Sequence, residues 1–384
     1  MGGNRFAESD KARTISWSGE QMYRQPEQNF PQLSSRAWRS PRAGPPTRIA
    51  ALDLGTNNCR LLVAEPGING FDVVDSFSRI TRLGEGLATT GQLSEPAIRR
   101  TLMALAVCRR IINRNHIAEL RCVATEACRR ASNGPDFIER VERDAGIRLE
   151  VVSQDEEARL ALLGCLPLVD ELAEQLLMVD IGGGSTELVC FDRCHAVGDD
   201  GGPGIAVSLP VGVVTLAESF ASQPAASAYD GMLETARAAI NAAPLDGFRL
   251  RALEAPTVQM LGTSGTVTTL AAVHLGLRRY DRRRVDGIVL EYAAIAAVSE
   301  RLKRLDNRGR AAHPCIGQGR ADLVIAGCAI LEAVHQRWPM RQMRVADRGV
   351  REGILHGLMG LDLQALARPR AGRDWRWCQP RPTE

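Results

Sequence analysis

Two glycine-rich turns carry most of the chemistry legible in this chain: Asp53-Leu-Gly-Thr-Asn-Asn58 and Asp180-Ile-Gly-Gly-Gly-Ser-Thr-Glu187. Glycine lets a backbone turn tightly and approach a ligand closely. A row of backbone N–H groups with small hydroxyl or amide side chains suits anionic oxygens without any counter-charge. The carboxylates Asp53, Asp180 and Glu187 would repel a phosphate on their own. They make sense when a hard cation such as Mg²⁺ lies between carboxylate and phosphate. A third turn, Leu261-Gly-Thr-Ser-Gly-Thr-Val267, leads from a strand into a helix, whose N-terminus with Thr263, Ser264 and Thr266 is a ready anion site. It lacks the lysine of a P-loop, which excludes a Walker-type nucleotide site.

Further clusters carry two readings each. Gln154-Asp-Glu-Glu157-Ala-Arg159 opens a helix shortly before the second glycine turn. Acids there cap the helix and match its dipole. From the same place a carboxylate can accept a proton from a water attacking phosphorus. In Thr125-Glu-Ala-Cys-Arg129-Arg130, at the end of a strand, an arginine can fork onto phosphate oxygens. A solvated helix face suits Arg130 better than Arg129. The basic run Arg278-Arg-Tyr-Asp-Arg-Arg-Arg284 is either a solvated loop or a track for a long polyanion, extended by Arg308, Arg310 and Arg320. The six histidines form no metal or triad pattern.

The elements that must hold these residues follow from apolar periodicity. Each of the first two turns sits between short apolar runs, Arg48-Ile-Ala-Ala-Leu and Cys59-Arg-Leu-Leu-Val-Ala in one case, Leu176-Leu-Met-Val and Leu188-Val-Cys-Phe in the other. Both therefore read as hairpins. A further strand pair is expected over 71–82. Ser94 caps a helix with Pro96 in its first turn and a stripe of Ile98, Leu102, Leu105, Cys108 and Ile112. Strands follow at 120–124, 149–153, 258–262 and 343–346, and helices at 135–145, 155–166, 264–275, 291–305, 322–338 and 350–359. The repeated hairpin predicts two related α/β lobes with a cleft between them, where ligands tend to lie.

Composition narrows the class. The 384 residues, 45% of them apolar, suffice for two core-bearing domains. A net charge of +3 gives no bulk sign of nucleic-acid binding. No apolar run approaches the ~20 residues that span a bilayer, and the N-terminus has no apolar stretch of the secretory type. Of ten cysteines, Cys59, Cys108, Cys122, Cys165, Cys190 and Cys328 sit singly in apolar segments, as small hydrophobes do. Cys190 and Cys194 have no partner pair to complete a zinc site. A reduced, cytoplasmic protein is expected, with no membrane or nucleic-acid partner. Residues 1–47 read as a disordered arm and 368–384 as a flexible tail. The tryptophans there (Trp17, Trp38, Trp375, Trp377) are incidental or belong to a docking segment.

Five motifs in a fixed order resemble the exopolyphosphatase and guanosine pentaphosphate phosphohydrolase (Ppx/GppA) family: Asp53-Leu-Gly-Thr-Asn, Thr125-Glu-Ala-Cys-Arg129, Asp155-Glu-Glu-Ala-Arg159, Asp180-Ile-Gly-Gly-Gly-Ser-Thr-Glu187 and Gly262-Thr-Ser-Gly-Thr266. The resemblance covers roughly 48–360 and implies an α/β fold of two ribonuclease-H-like lobes, from the superfamily of actin, sugar kinases and heat-shock chaperones. It implies a first lobe over 48–163, a second over 164–348, and a terminal helix near 349–364 packing back onto the first. By resemblance Glu157 is the catalytic base and Arg129 a phosphate-binding catalytic arginine. Thr56, Asn57, Gly182, Gly183, Gly184, Ser185, Thr186, Gly262, Ser264 and Gly265 match phosphate loops, while Asp53, Asp180 and Glu187 lie near a divalent cation, Mg²⁺ or its like. The implied activity is hydrolysis of the terminal phosphoanhydride of inorganic polyphosphate or of pppGpp, with a homodimer plausible. The chain resembles the short forms, without the appended helical histidine–aspartate domain. The rival readings are an ATP-dependent kinase or ATPase on the same fold, and a non-catalytic polyphosphate or alarmone sensor. All require the turns to converge on one point; catalysis also requires an acid left to aim a water.

Overall fold

The computed structural model describes residues 15–16, 47–67, 70–170, 172–193, 204–245, 250 and 257–363. The expected tail, most of the arm and their four tryptophans lie outside the described residues. Strand β1 (Ile15–Ser16) joins the edge of the second of two sheets. The first sheet is built from β2 (Arg48–Leu54), β3 (Asn58–Gly67), β4 (Gly70–Ile80), β5 (Ile117–Ala124) and β6 (Glu150–Val151), in the order β4-β3-β2-β5-β6. The second contains β7 (Gln175–Ile181), β8 (Thr186–Asp192), β9 (Gly204–Leu209), β10 (Val258–Thr263), β11 (Val289–Glu291) and β12 (Gln342–Ala346), in the order β1-β9-β8-β7-β10-β12-β11.

The same plan is used twice. In each sheet three antiparallel strands, β2-β3-β4 or β7-β8-β9, are followed by two parallel additions, β5-β6 or β10-β12. That is the ribonuclease-H-like arrangement in two copies. Its logic is visible in the burial of β7, β8 and β9, whose every residue is buried. Strands covered on both faces read as continuous apolar runs, which is why Leu176–Val179 and Leu188–Phe191 stood out.

The helix Glu95–Arg114 begins at Ser94, whose hydroxyl accepts the Ala97 N–H, and buries Ile98, Leu105, Cys108 and Ile112. The strand pair expected over 71–82 is instead one long strand, β4, antiparallel to β3. It is the edge of the sheet and mostly exposed, so its sequence shows mixed polarity where a buried strand would show a clean apolar face. The helix Ala225–Ala242 is additional to the expected elements, although Tyr229, Met232, Ala236 and Ile240 bury a stripe at helical spacing.

Two helices pack where the sheets meet. Gln154–Cys165 and Val350–Leu358 cross so closely that a Cβ on Gly164 would strike the Gly349 carbonyl and one on Gly353 the Leu160 carbonyl. Ile354 and Leu355 then join a core with Ile49, Ala51, Leu62, Ala64 and Val123 of the first sheet. Across the crossing, Ala158, Ala161 and Leu162 join Met178, Val189 and Ala206 of the second. The eight described cysteines are free and buried. No described helix is long and apolar enough to cross a membrane.

Candidate functional site

The first turn joins β2 to β3 and is closed by Gly55 N donating to Asn58 O at 2.9 Å. Its outer carbonyls are engaged: Asn57 O accepts Thr81 N at 2.9 Å and Arg82 N at 3.0 Å, and Thr56 O accepts Gly84 N at 2.9 Å. The second turn, between β7 and β8, repeats this. Gly182 N donates to Ser185 O at 2.9 Å, while Gly182 O and Gly183 O accept Val213 N at 3.0 Å and Val214 N at 2.8 Å from the helix Val213–Ser219. Among the described residues, the N–H groups of Thr56, Asn57, Gly183 and Gly184 have no acceptor. With the carbonyls bound outward, each turn offers a row of N–H groups to an anion.

The two turns face each other across one cleft of about 110 Å³. A Cβ on Gly183 would lie 3.0 Å from the Thr56 Cβ and 3.2 Å from Asn57 N. A Cβ on Gly184 would run into the Glu126 carboxylate and come within 3.1 Å of Thr56 Oγ1. Glycine at these positions is thus what lets one backbone lie against the other. The third turn closes the cleft through Ser264 and Gly265, at the start of the helix Ser264–His274. Ser264 sits at φ 74°, in the left-handed region that β-substituted residues adopt at a cost.

Acids cluster around the cleft. Asp180 and Glu187 are cross-strand partners on β7 and β8, as Asp53 and Arg60 are on β2 and β3. Glu187 Oε1 accepts the hydroxyls of Ser185 at 2.7 Å and Ser208 at 2.9 Å. Glu157 lies in the first turn of Gln154–Cys165, whose cap is Ser153. Its Oε2 accepts Arg129 Nη2 at 3.0 Å, while the side chain, 12% exposed, still lines the cleft. Burial pushes the Glu157 carboxyl well above the usual carboxylate range; the charge of Glu187 pushes it further, against the pull of Arg129. Burial, then Asp180, pushes Glu187 up to about 7. Burial also raises Asp180, against the Ser264 hydrogen bond and Arg60, and raises Asp53 against Arg60 and Arg351. These groups crowd negative charge into one desolvated space.

Of the site residues that the resemblance gives, Asp53, Thr56, Asn57, Glu157, Asp180, Gly182, Gly183, Gly184, Ser185, Glu187, Ser264 and Gly265 line the cleft, and so do Thr266 and Arg320, named on other grounds. Three that the resemblance gives do not. Arg129 gives Nη1 to Val152 O at 2.7 Å and Nη2 to Glu157, so it braces the acid and does not line the cleft. Thr186 turns its hydroxyl to Val211 O at 2.7 Å. Gly262 faces Met343 and Val267 inside the lobe, where a side chain would not fit.

The arginines that do line the cleft are Arg60 and Arg320. Burial, and next the charge of Arg60, holds Arg320 below the ordinary arginine range. A charged residue between the buried Cys59 and Leu61 was the available signal for Arg60. Glu126, also in the cleft and 8% exposed, belongs to the Thr125–Arg129 motif, whose sequence does not by itself mark it as a cleft residue. The basic run does not form one open track. Arg282 is held by Glu352 at 2.8 Å, and Arg310 donates to the carbonyls of Leu305 and Ala321. Among the described residues, no group of three or more His, Cys, Asp or Glu is placed to hold a metal ion, so Asp53, Asp180 and Glu187, expected together at a cation, do not form such a set.

The family model described as the Ppx/GppA phosphatase family matches residues 62–361. Exopolyphosphatase 2 of Mycobacterium tuberculosis is 30% identical over 327 residues, which are 82% of this chain and 99% of that protein. The crystal structure of the Ppx/GppA family member of Aquifex aeolicus superposes with a TM-score of 0.65 at 28% identity, covering 82% of this chain and 99% of that one. An exopolyphosphatase-like protein of known crystal structure gives a TM-score of 0.70 at 30% identity, over 82% of this chain and 99% of that one.

Proposed function

The chain belongs to the Ppx/GppA phosphatase family, and on that premise we propose that it is an exopolyphosphatase, releasing orthophosphate from the end of inorganic polyphosphate. The observation that carries this reading is the convergence of two opposed N–H rows with Arg60, Arg320 and the Glu157 carboxylate on a single cleft. Phosphoryl transfer needs an aligned nucleophile and charge neutralisation, and little else from the protein. The N–H rows and the arginines supply the neutralisation for the terminal phosphates. Arg129 is assigned as a positioning residue: bound to both Val152 O and Glu157, it fixes the carboxylate without touching substrate.

Glu157 takes a proton from the water as the water oxygen bonds to the terminal phosphorus, and the bridging oxygen leaves with the electron pair of the broken anhydride bond. A carboxylate whose proton affinity is raised by burial and by Glu187 is a stronger base than an exposed one. The donor set fits a hard divalent ion such as Mg²⁺. Asp180 and Glu187 supply oxygen ligands from adjacent strands, their mutual charge favours a cation, and this ion is typically held by one or two carboxylates with water and phosphate oxygens completing the shell. When bound, it would neutralise charge on the phosphate oxygens.

Phosphate release measured side by side on polyphosphate, ATP and pppGpp tests the assignment. Turnover of polyphosphate well above that of ATP is expected. Preference for ATP with a phosphorylated acceptor would make the protein a kinase, and tight polyphosphate binding with no release would make it a sensor.

A further inference from the structure

The proposed chemistry gives no role to one cleft carboxylate that lies between the two glycine turns, Glu126. Glu126 opens the short helix Glu126–Arg130 and lies at the seam between the two glycine turns. Its Oε2 accepts the Thr56 hydroxyl at 3.2 Å, from the first turn. The same oxygen fills the space into which a Cβ on Gly184, of the second turn, would project. Its Oε1 lies 3.6 Å from Arg130 Nη1. Arg130 is 44% exposed, so solvent screens the opposing charge it offers. Glu126 is thus a buried anion set against the N–H rows that bind anions.

From this placement we infer that Glu126 is a positioning residue that weakens the hold of the cleft on cleaved orthophosphate. It acts in two ways. Its charge opposes any anion held between the turns, in a space where solvent screens little. It also occupies the Thr56 hydroxyl proton, which an anion in the cleft would otherwise draw. A polyphosphate chain is held through several phosphates and tolerates one unfavourable neighbour. Orthophosphate has only the terminal position and bears the whole effect. An enzyme that must empty the same cradle after every cleavage gains turnover from such a residue.

This inference rests on the exopolyphosphatase reading, and the test separates the two. Orthophosphate binding to the full chain is measured by calorimetry and by inhibition of polyphosphate turnover, in wild type, Glu126→Gln and Arg130→Gln. The glutamine keeps the size and an oxygen for Thr56 while removing the charge. Orthophosphate should bind about tenfold more tightly to Glu126→Gln, the scale of one poorly screened charge contact. KM should fall with kcat, since release slows. Arg130→Gln, on the surface, removes the opposing charge and should weaken orthophosphate binding about twofold. Unchanged or weaker binding in Glu126→Gln overturns the inference; if that variant does not fold, unchanged or tighter binding in Arg130→Gln does so. A wild-type protein that releases nothing from polyphosphate overturns the functional reading instead, and calorimetry still reports on Glu126.

Discussion

Replacing Glu187 with glutamine should make the metal-free protein more stable at alkaline pH while damaging its activity. Glu187 is 2% exposed, and its carboxyl is pushed from an ordinary 4.5 to about 7 by burial and by Asp180, against the hydroxyls of Ser185 and Ser208. Between these values the folded chain keeps a proton that the unfolded chain has released. The folded state therefore binds more protons, and stability falls as pH rises from about 4.5 through about 7, then levels off. At about 1.4 kcal/mol per pH unit, a displacement of about 2.5 units amounts to about 3 kcal/mol, mostly expressed between pH 5 and 8.5. Glutamine cannot ionise, yet its oxygen can still accept both serine hydroxyls. Urea unfolding in chelator at pH 5 and 8.5 measures the difference directly. Wild type should lose about 2–3 kcal/mol more than Glu187→Gln across that interval. Parallel pH profiles for the two proteins would refute the claim that this acid is held in a desolvated, negatively charged space.

Three other substitutions probe different links. Glu157→Gln should lower kcat by about 10²–10⁴-fold with KM within a few-fold, and near-normal steady-state turnover would remove Glu157 as the base. Gly184→Ala places a methyl against Glu126 and Thr56 and should force the turns apart, lowering kcat/KM by about 10²-fold with the melting temperature little changed. A fully active variant would mean that the turns need not touch. Gly353→Ala, at the helix crossing over Leu160, should instead cost about 1–3 kcal/mol or more in chemical denaturation. An unchanged midpoint would show that the crossing gives way at no cost.

Much of the fold was legible because the central strands are covered on both faces, so Leu176–Val179 and Leu188–Phe191 read as unbroken apolar runs joined by glycine. Edge strand β4 and the helix Ala225–Ala242 were harder, the one because exposure mixes its polarity, the other because small residues such as Ala236 dilute its stripe. Within the site, motif membership outran geometry. Side chains alternate across a strand, so Thr186 had to face away from its neighbour Glu187, and it binds Val211 O. Arg129 ends on the Val152 carbonyl, a contact between segments 23 residues apart that no local pattern announces. Arg320 stands with Arg308 and Arg310 in the expected polyanion track, and of these three it is Arg320 that lines the cleft. The close approach of Gly184 to Glu126 comes from how the lobes dock, which neither turn specifies alone.

The most direct test follows oxygen. Polyphosphate is hydrolysed in ¹⁸O-labelled water and the products are separated. If the terminal phosphate occupies the N–H cradle with Glu157 aiming water at it, the label appears in the released orthophosphate. Label found in the shortened chain would mean that the penultimate phosphorus is attacked, and the assignment of the cleft to the terminal phosphate would be wrong.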